Sequence, residues 1–289
     1  MTLQKLVFKK FYLLLLLSVV SSGAAHEYWL DLTDASVQLG RSALVNIRNG
    51  ENFIGASFPY DSSGVADIRF SGEGENEAYA GRLGDYPAIN RQMDRPGLFA
   101  VTVNSTPSVL VYKSWEQFDT FLNYHGLDQI RAAHQQLGLP EVGVRERYRR
   151  NAKALMQVTE NGDPTVSADS SLSLKSEGNA AFASTSATLE LILLDNPYAN
   201  LNEINLQLLF QGESLPGRQV EMFWRSEEVT RTTAITDVHG KAIFELKGNG
   251  DYLLNAVHVI PPAKGDDVHW QSEWATLMFE RRQVNKIDN

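Results

Sequence analysis

The sequence predicts a mainly β protein: two immunoglobulin- or transthyretin-like β-sandwich domains joined by a helical segment. Three observations carry that reading. Short alternating or β-rich runs recur between Gly and Pro turns at both ends of the chain. A capped stretch of helical periodicity separates them. The chain has 289 residues and no cysteine, so its core must stand on packing without disulfides, which this length allows.

Taken in order, residues 1–25 have the three parts of a secretory signal. Lys5, Lys9 and Lys10 form a positive start, Phe11–Val20 is an apolar run, and Ser21, Ser22, Gly23, Ala24 and Ala25 are small. Gly23 and Ala25 stand at the −3 and −1 positions of a cut before His26. The apolar run is shorter than the roughly 20 residues a spanning helix needs. The expectation is a periplasmic protein that starts at His26 and has no membrane span after cleavage.

Residues 26–113 read as the N-terminal β domain, with runs at His26–Leu32, Ala43–Arg48, Ala66–Phe70, Leu98–Val103 and Ser108–Tyr112. Residues 114–158 read as helical. Ser114 and Gln117 form a capping box, and Trp115, Phe118 and Leu122 make an apolar stripe. Leu127, Ile130, His134 and Leu137 make a second stripe. Val144, Tyr148, Ala152 and Leu155 suggest a third helix, whose other face carries Arg145, Arg147, Arg149, Arg150 and Lys153. Residues 159–186, rich in Ser, Ala, Asn, Gly and Asp, read as a polar linker. Strands return over 187–280, about seven in about 90 residues, the density of a sandwich. A polar tail fills 281–289.

The formal net charge is −9, and removal of the three signal lysines takes it to −12. An acidic surface argues against nucleic acid and anionic lipid as partners. Without cysteine, any metal must be held by imidazole, carboxylate, amine or carbonyl groups. The Gly-x-Ser-x-Gly, P-loop, dinucleotide and His-Glu-x-x-His patterns do not occur. No carboxylate pair stands out for acid–base work, and the expectation is a protein that is not an enzyme.

His26 is the most informative residue. At a mature N-terminus it offers an α-amine and an imidazole that can close a chelate ring, a donor set suited to transition metals. His258 and His269 flank the loop 260–268 and are the expected partners, brought close if hairpin register allows. Asp266 and Asp267 are further oxygen donors on that loop. His125, His134 and His239 rank behind them, and His134, on an apolar helix face, reads as a hydrogen-bonded core histidine.

Several stretches, in order, resemble a bacterial periplasmic family of unknown function whose members accompany nickel and cobalt uptake systems. They are Ala25-His26-Glu27-Tyr28-Trp29-Leu30, Arg147-Tyr148 through Ala152-Lys153-Ala154-Leu155, Leu189-Glu190-Leu191 with Asn196-Pro197-Tyr198, Leu215-Pro216-Gly217 with Thr236-Asp237 and Gly240, and Tyr252 to His258 followed by Trp270 to Phe279. The resemblance implies two β domains around a helical segment. It also implies transition-metal handling, with Ni(II) or Co(II) first and Cu(II) as the alternative, beside a metal-uptake transporter or outer-membrane receptor. His26 and His258 fall on its motifs, while His269 rests on geometry alone. Two other functions compete: a β-sandwich module binding a protein or glycan partner, and a copper-dependent oxidase using the N-terminal histidine.

Overall fold

The computed structural model describes residues 26–72, 74–162, 180–185 and 187–282. The expected signal, most of the expected linker and most of the tail lie outside the described residues. Among the described residues, nine strands precede the helices. They are β1 (Glu27–Leu32), β2 (Ser36–Gln38), β3 (Ser42–Glu51), β4 (Ile54–Phe58), β5 (Val65–Gly72), β6 (Glu75–Ala78), β7 (Ile89–Gln92), β8 (Gly97–Ser105) and β9 (Ser108–Tyr112). Helices α1 (Trp115–Tyr124) and α2 (Asp128–Gln136) follow, then the long β10 (Val144–Thr159). The rest comprises β11 (Leu189–Leu193), β12 (Glu203–Phe210), β13 (Glu213–Ser214), β14 (Gln219–Arg225), β15 (Val229–Ile235), β16 (Lys241–Glu245), β17 (Gly250–Ile260) and β18 (Trp270–Arg281).

The protein is mainly β and packed as sandwiches, but its two halves share a sheet. A ten-stranded sheet runs β15-β14-β17-β18-β10-β8-β5-β6, with β2 and β9 also pairing with β10. One four-stranded sheet (β1, β3, β4, β7) covers one face, burying Trp29, Val45 and Ile47 against Phe70, Val101, Met156 and Met278. The other (β11, β12, β13, β16) covers the opposite face, burying Leu191, Leu206 and Phe244 against Met222, Leu254 and Leu277. The stretches 26–113 and 187–280, expected as separate domains, each give one outer sheet and four or five strands of the shared middle sheet. Each β-rich run falls on a strand, while β2, β4, β6, β7, β10 and β13 are not read as strands from the sequence. Which strands pair across the molecule is a matter of long-range packing that alternation does not encode.

The helices lie where expected. Ser114 Oγ accepts the Gln117 N–H, and Phe118, Phe121 and Leu122 face inward. With Ile130 they pack on Trp270 and Trp274 of β18, over the part of the sheet that β1 and β3 leave uncovered. His134 is buried in this cap, as expected of a core histidine. Its Nδ1 accepts the Trp270 indole N–H at 3.0 Å, and its Nε2–H points to the Pro140 carbonyl at 3.2 Å.

The expected third helix is a correction. Val144–Thr159 is a 16-residue strand, paired with β18, β9, β8 and β2. Its Arg, Glu, Ala, Lys, Leu and Met residues are good helix formers, and that propensity is overridden by partners on both edges and burial on both faces. Ala152 to Thr159 are buried without interruption, the mark of a central strand.

Candidate functional site

Strand β1 places Glu27 opposite Gly50 of β3, so His26 stands one step further on, beside Glu51. The β3–β4 connection is a two-residue turn in which Asn52 and Phe53 both have positive φ (52° and 63°). That is the backbone of the tight hairpin turns that match strand twist, although Phe there carries strain. The strain is held by burial. The Phe53 ring lies edge-on to Trp29 at 6.3 Å, with the Arg225 guanidinium 4.4 Å from its centre. Gly50 and Gly55 face each other so closely that a Cβ on Gly50 would lie 2.0 Å from the Ile54 carbonyl oxygen. This tight hairpin fixes where Glu51 sits. His26 Nδ1 lies 3.1 Å from Glu51 Oε1, and both side chains are partly open to solvent.

Glu27 points the other way, inward with Trp29, and is 2 % exposed. Its Oε2 is buried and has no hydrogen-bond partner among the described residues. Burial, reinforced by the nearby Glu221 carboxylate, pushes this carboxyl up to about 8. Glu221 on β14 has the opposite fate. Burial alone would raise it, but His125, Asn255, Gln219 and Arg231 surround it and bring it to about 2. The contacts are His125 Nδ1–H at 2.9 Å, Asn255 Nδ2–H at 2.7 Å and Arg231 N–H at 2.9 Å. His125 reaches this place because α1 ends there, with Gly126 in the left-handed conformation that closes helices. The Arg231 guanidinium also lies 3.9 Å from the centre of the Tyr124 ring. The corner beneath His26 is thus rich in carboxylates and closed from within.

His258 stands elsewhere. On β17 it alternates with Val257 and Val259, which meet the helices, and so it faces the opposite side of the central sheet with Leu254 and Ala256. It is paired with Glu273 of β18, its ring lies 4.6 Å from that of Phe210, and its Nδ1 accepts the Arg218 Nε–H at 3.2 Å. Burial, then the Arg218 charge, pushes it down to about 4. His269 precedes β18 and ties it to β10: its Nδ1 accepts the Arg145 backbone N–H, and its own N–H donates to the Arg145 carbonyl, both at 2.8 Å. Asp266 and Asp267 form ion pairs with Arg147 and Arg145 at 2.7 and 2.8 Å.

The expected convergence of His26 with His258 is not what the fold builds, because the N-terminal sheet and the His258 ring lie on opposite faces of the middle sheet. Nor do His258 and His269 meet. Glu273 is the partner of His258, four residues from His269, about 13 Å along a strand. Among the described residues, no three His, Asp or Glu side chains are grouped to hold a metal. Side chains alone therefore do not make a site. A free α-amine at His26 changes the count, since amine, imidazole and Glu51 carboxylate then give three donors of the kinds that suit Ni(II), Co(II) or Cu(II). The Nδ1–Oε1 separation at His26 and Glu51 is also what two donors on one ion show, about 3 Å. Glu51, Glu27 and the His125–Glu221 pair were not picked out from sequence. Glu27 was legible in principle, since in an alternating strand it shares the inward face of Trp29.

The molecule is thus a sandwich-packed β protein with an acidic, hairpin-braced corner at His26. Residues 23–260 match the family described as a domain of unknown function (DUF4198), and the chain belongs to it. No curated protein matches the chain. Among solved structures, the D0-D1 domain of Intimin is similar at 9 % identity, with 88 % of this chain and 97 % of that one covered and a TM-score of 0.18.

Proposed function

We propose that the protein, cut before His26, binds a divalent transition-metal ion at its new N-terminus and serves metal uptake from the periplasm. The ion is cargo, Ni(II) or Co(II) first and Cu(II) as the alternative, passed to an uptake transporter or outer-membrane receptor. The observation that carries the reading is the placement of His26. It sits at the start of an ordered strand, with its imidazole against a carboxylate that a tight hairpin holds in place. His26 supplies amine and imidazole nitrogen, and Glu51 supplies oxygen. The resemblance to families accompanying nickel and cobalt uptake supports the choice of metal, and the net negative charge favours a cation.

The test is calorimetric titration of Ni(II), Co(II) and Cu(II) into protein that begins at His26. Adding one Gly before His26 moves the amine out of chelating position while leaving every side chain intact, and should weaken binding at least tenfold. Glu51→Gln should weaken it by a similar factor. His258→Ala and His269→Ala should leave it within twofold of the parent. Equal affinity with and without the extra Gly would sink the proposal.

A further inference from the structure

A second feature lies at the other end of β1. Where the connection over residues 32–36 crosses the ends of β10 and β18 there is an open cavity of about 240 Å³. Further hollows of about 190 and 420 Å³ adjoin it through Thr33. The 240 Å³ cavity has room for a molecule the size of an amino acid, on the order of eight waters by volume.

Its polar lining is unusual in what it leaves unengaged. Arg281 is 3 % exposed; its guanidinium has no carboxylate partner among the described residues and is held by the Ala199 carbonyl at 3.0 Å and by the Tyr252 hydroxyl. A buried guanidinium without a counter-ion is costly and is the group best shaped to take a carboxylate. Tyr198 also lines the cavity, and its hydroxyl is buried with no hydrogen-bond partner among the described residues. Opposite charge stands on the outer rim. Asp34, exposed on the lining, accepts the Ser36 N–H through Oδ1 at 3.1 Å, and Glu280 is paired with Arg282, which also lines the cavity. The buried end of the cavity thus asks for an anion, and the rim asks for a cation.

We propose that this cavity binds a free α-amino acid, its carboxylate on Arg281 and Tyr198 and its ammonium at Asp34. The two charges of that zwitterion match the two unmatched ends of the cavity. The site is independent of the His26 corner, so affinity should be unchanged by a Gly added before His26. That control separates failure here from failure of the metal reading.

The experiment is calorimetry of the whole protein with each of the twenty amino acids in turn. At least one should bind. Tyr198→Phe removes a hydroxyl that has no partner among the described residues, so it should leave the melting temperature of the free protein unchanged or raise it, while weakening the amino acid at least tenfold. Asp34→Asn keeps the oxygen that caps Ser36 and removes the charge, and should weaken it by a similar factor. The matching acid lacking its amino group should bind at least tenfold more weakly. If no amino acid binds, or if both variants bind as well as the parent, the assignment is wrong. A tripeptide that binds as tightly as the free acid would assign the cavity to chain ends instead, and would also overturn it.

Discussion

The corners at His26 and His258 hold the same kind of residue beside the same kind of partner, a carboxylate across a strand ladder, yet they suit opposite chemistry. At His26 the open neighbour is the Glu51 carboxylate, and the imidazole is partly open. Glu27 beneath it, held near 8, is uncharged at neutral pH, and Glu221 is matched by His125 and Arg231. At His258 the ring is buried, Arg218 occupies its Nδ1, and Arg149 covers Glu273 at 2.7 Å. A cation approaching the first meets negative charge and a free ring edge. At the second it meets two guanidiniums. The comparison teaches that a histidine's candidacy as a ligand depends less on its neighbour across the strand than on the net charge of everything packed around it.

The largest test of this contrast is structural. His125→Ala leaves the Glu221 carboxylate buried beneath the His26 corner with less compensation, and should destabilise the fold by about 3 kcal/mol. Urea unfolding measures it. A loss below 1 kcal/mol would mean that Arg231 and Asn255 suffice alone.

Acid should then separate the two corners. His258 is held near 4, below the ordinary 6.5. Its contribution to stability is therefore complete above pH 6.5 and is lost as pH falls toward 4. Glu221 is held near 2, below its ordinary 4.5, so its contribution is complete above pH 4.5 and is lost toward pH 2. Glu27, held near 8, works the other way between pH 8 and 4.5. The His258 fall is therefore read as the drop from pH 6.5 to 4 in melting temperature relative to His258→Phe, and the Glu221 fall as the drop below pH 4.5. Arg218→Gln removes the repelling charge and should flatten the first fall only, with the His258 resonances titrating at higher pH. An unchanged first fall in that variant would show that burial, not Arg218, sets the His258 value.

The smallest effect is expected at His269. His269→Ala leaves the Arg145 backbone N–H without its ring acceptor and should cost about 1 kcal/mol. Differential scanning calorimetry reads this, and metal affinity should not move. A tenfold loss of metal affinity here would erase the distinction drawn between the two corners.

How far the site was legible can be judged from particular residues. His26 stood out because an amine and an imidazole on one residue are a chelate by covalent structure, whatever the fold. Glu51 did not, because nothing local marks it; it becomes a neighbour through β1–β3 pairing and a turn with two positive φ values. Arg145, Arg147 and Arg149 looked like one face of a helix. The period-2 signal was present in Val144, Glu146 and Tyr148, but the helix-forming composition of the segment spoke against it.

The sequence by itself determined the elements whose signal is local: the β-rich runs, the capped helix at Ser114, the buried role of His134 and the reach of the family match. Alternation and capping are written within a few residues, so they survive without knowledge of the rest. Only the tertiary structure decided that the two sandwiches share one sheet, that Val144–Thr159 is its central strand, and that His258 faces away from His26. Those facts depend on pairing between segments far apart in the chain. A shift of one residue in such pairing turns every side chain to the other face, and no local pattern fixes it.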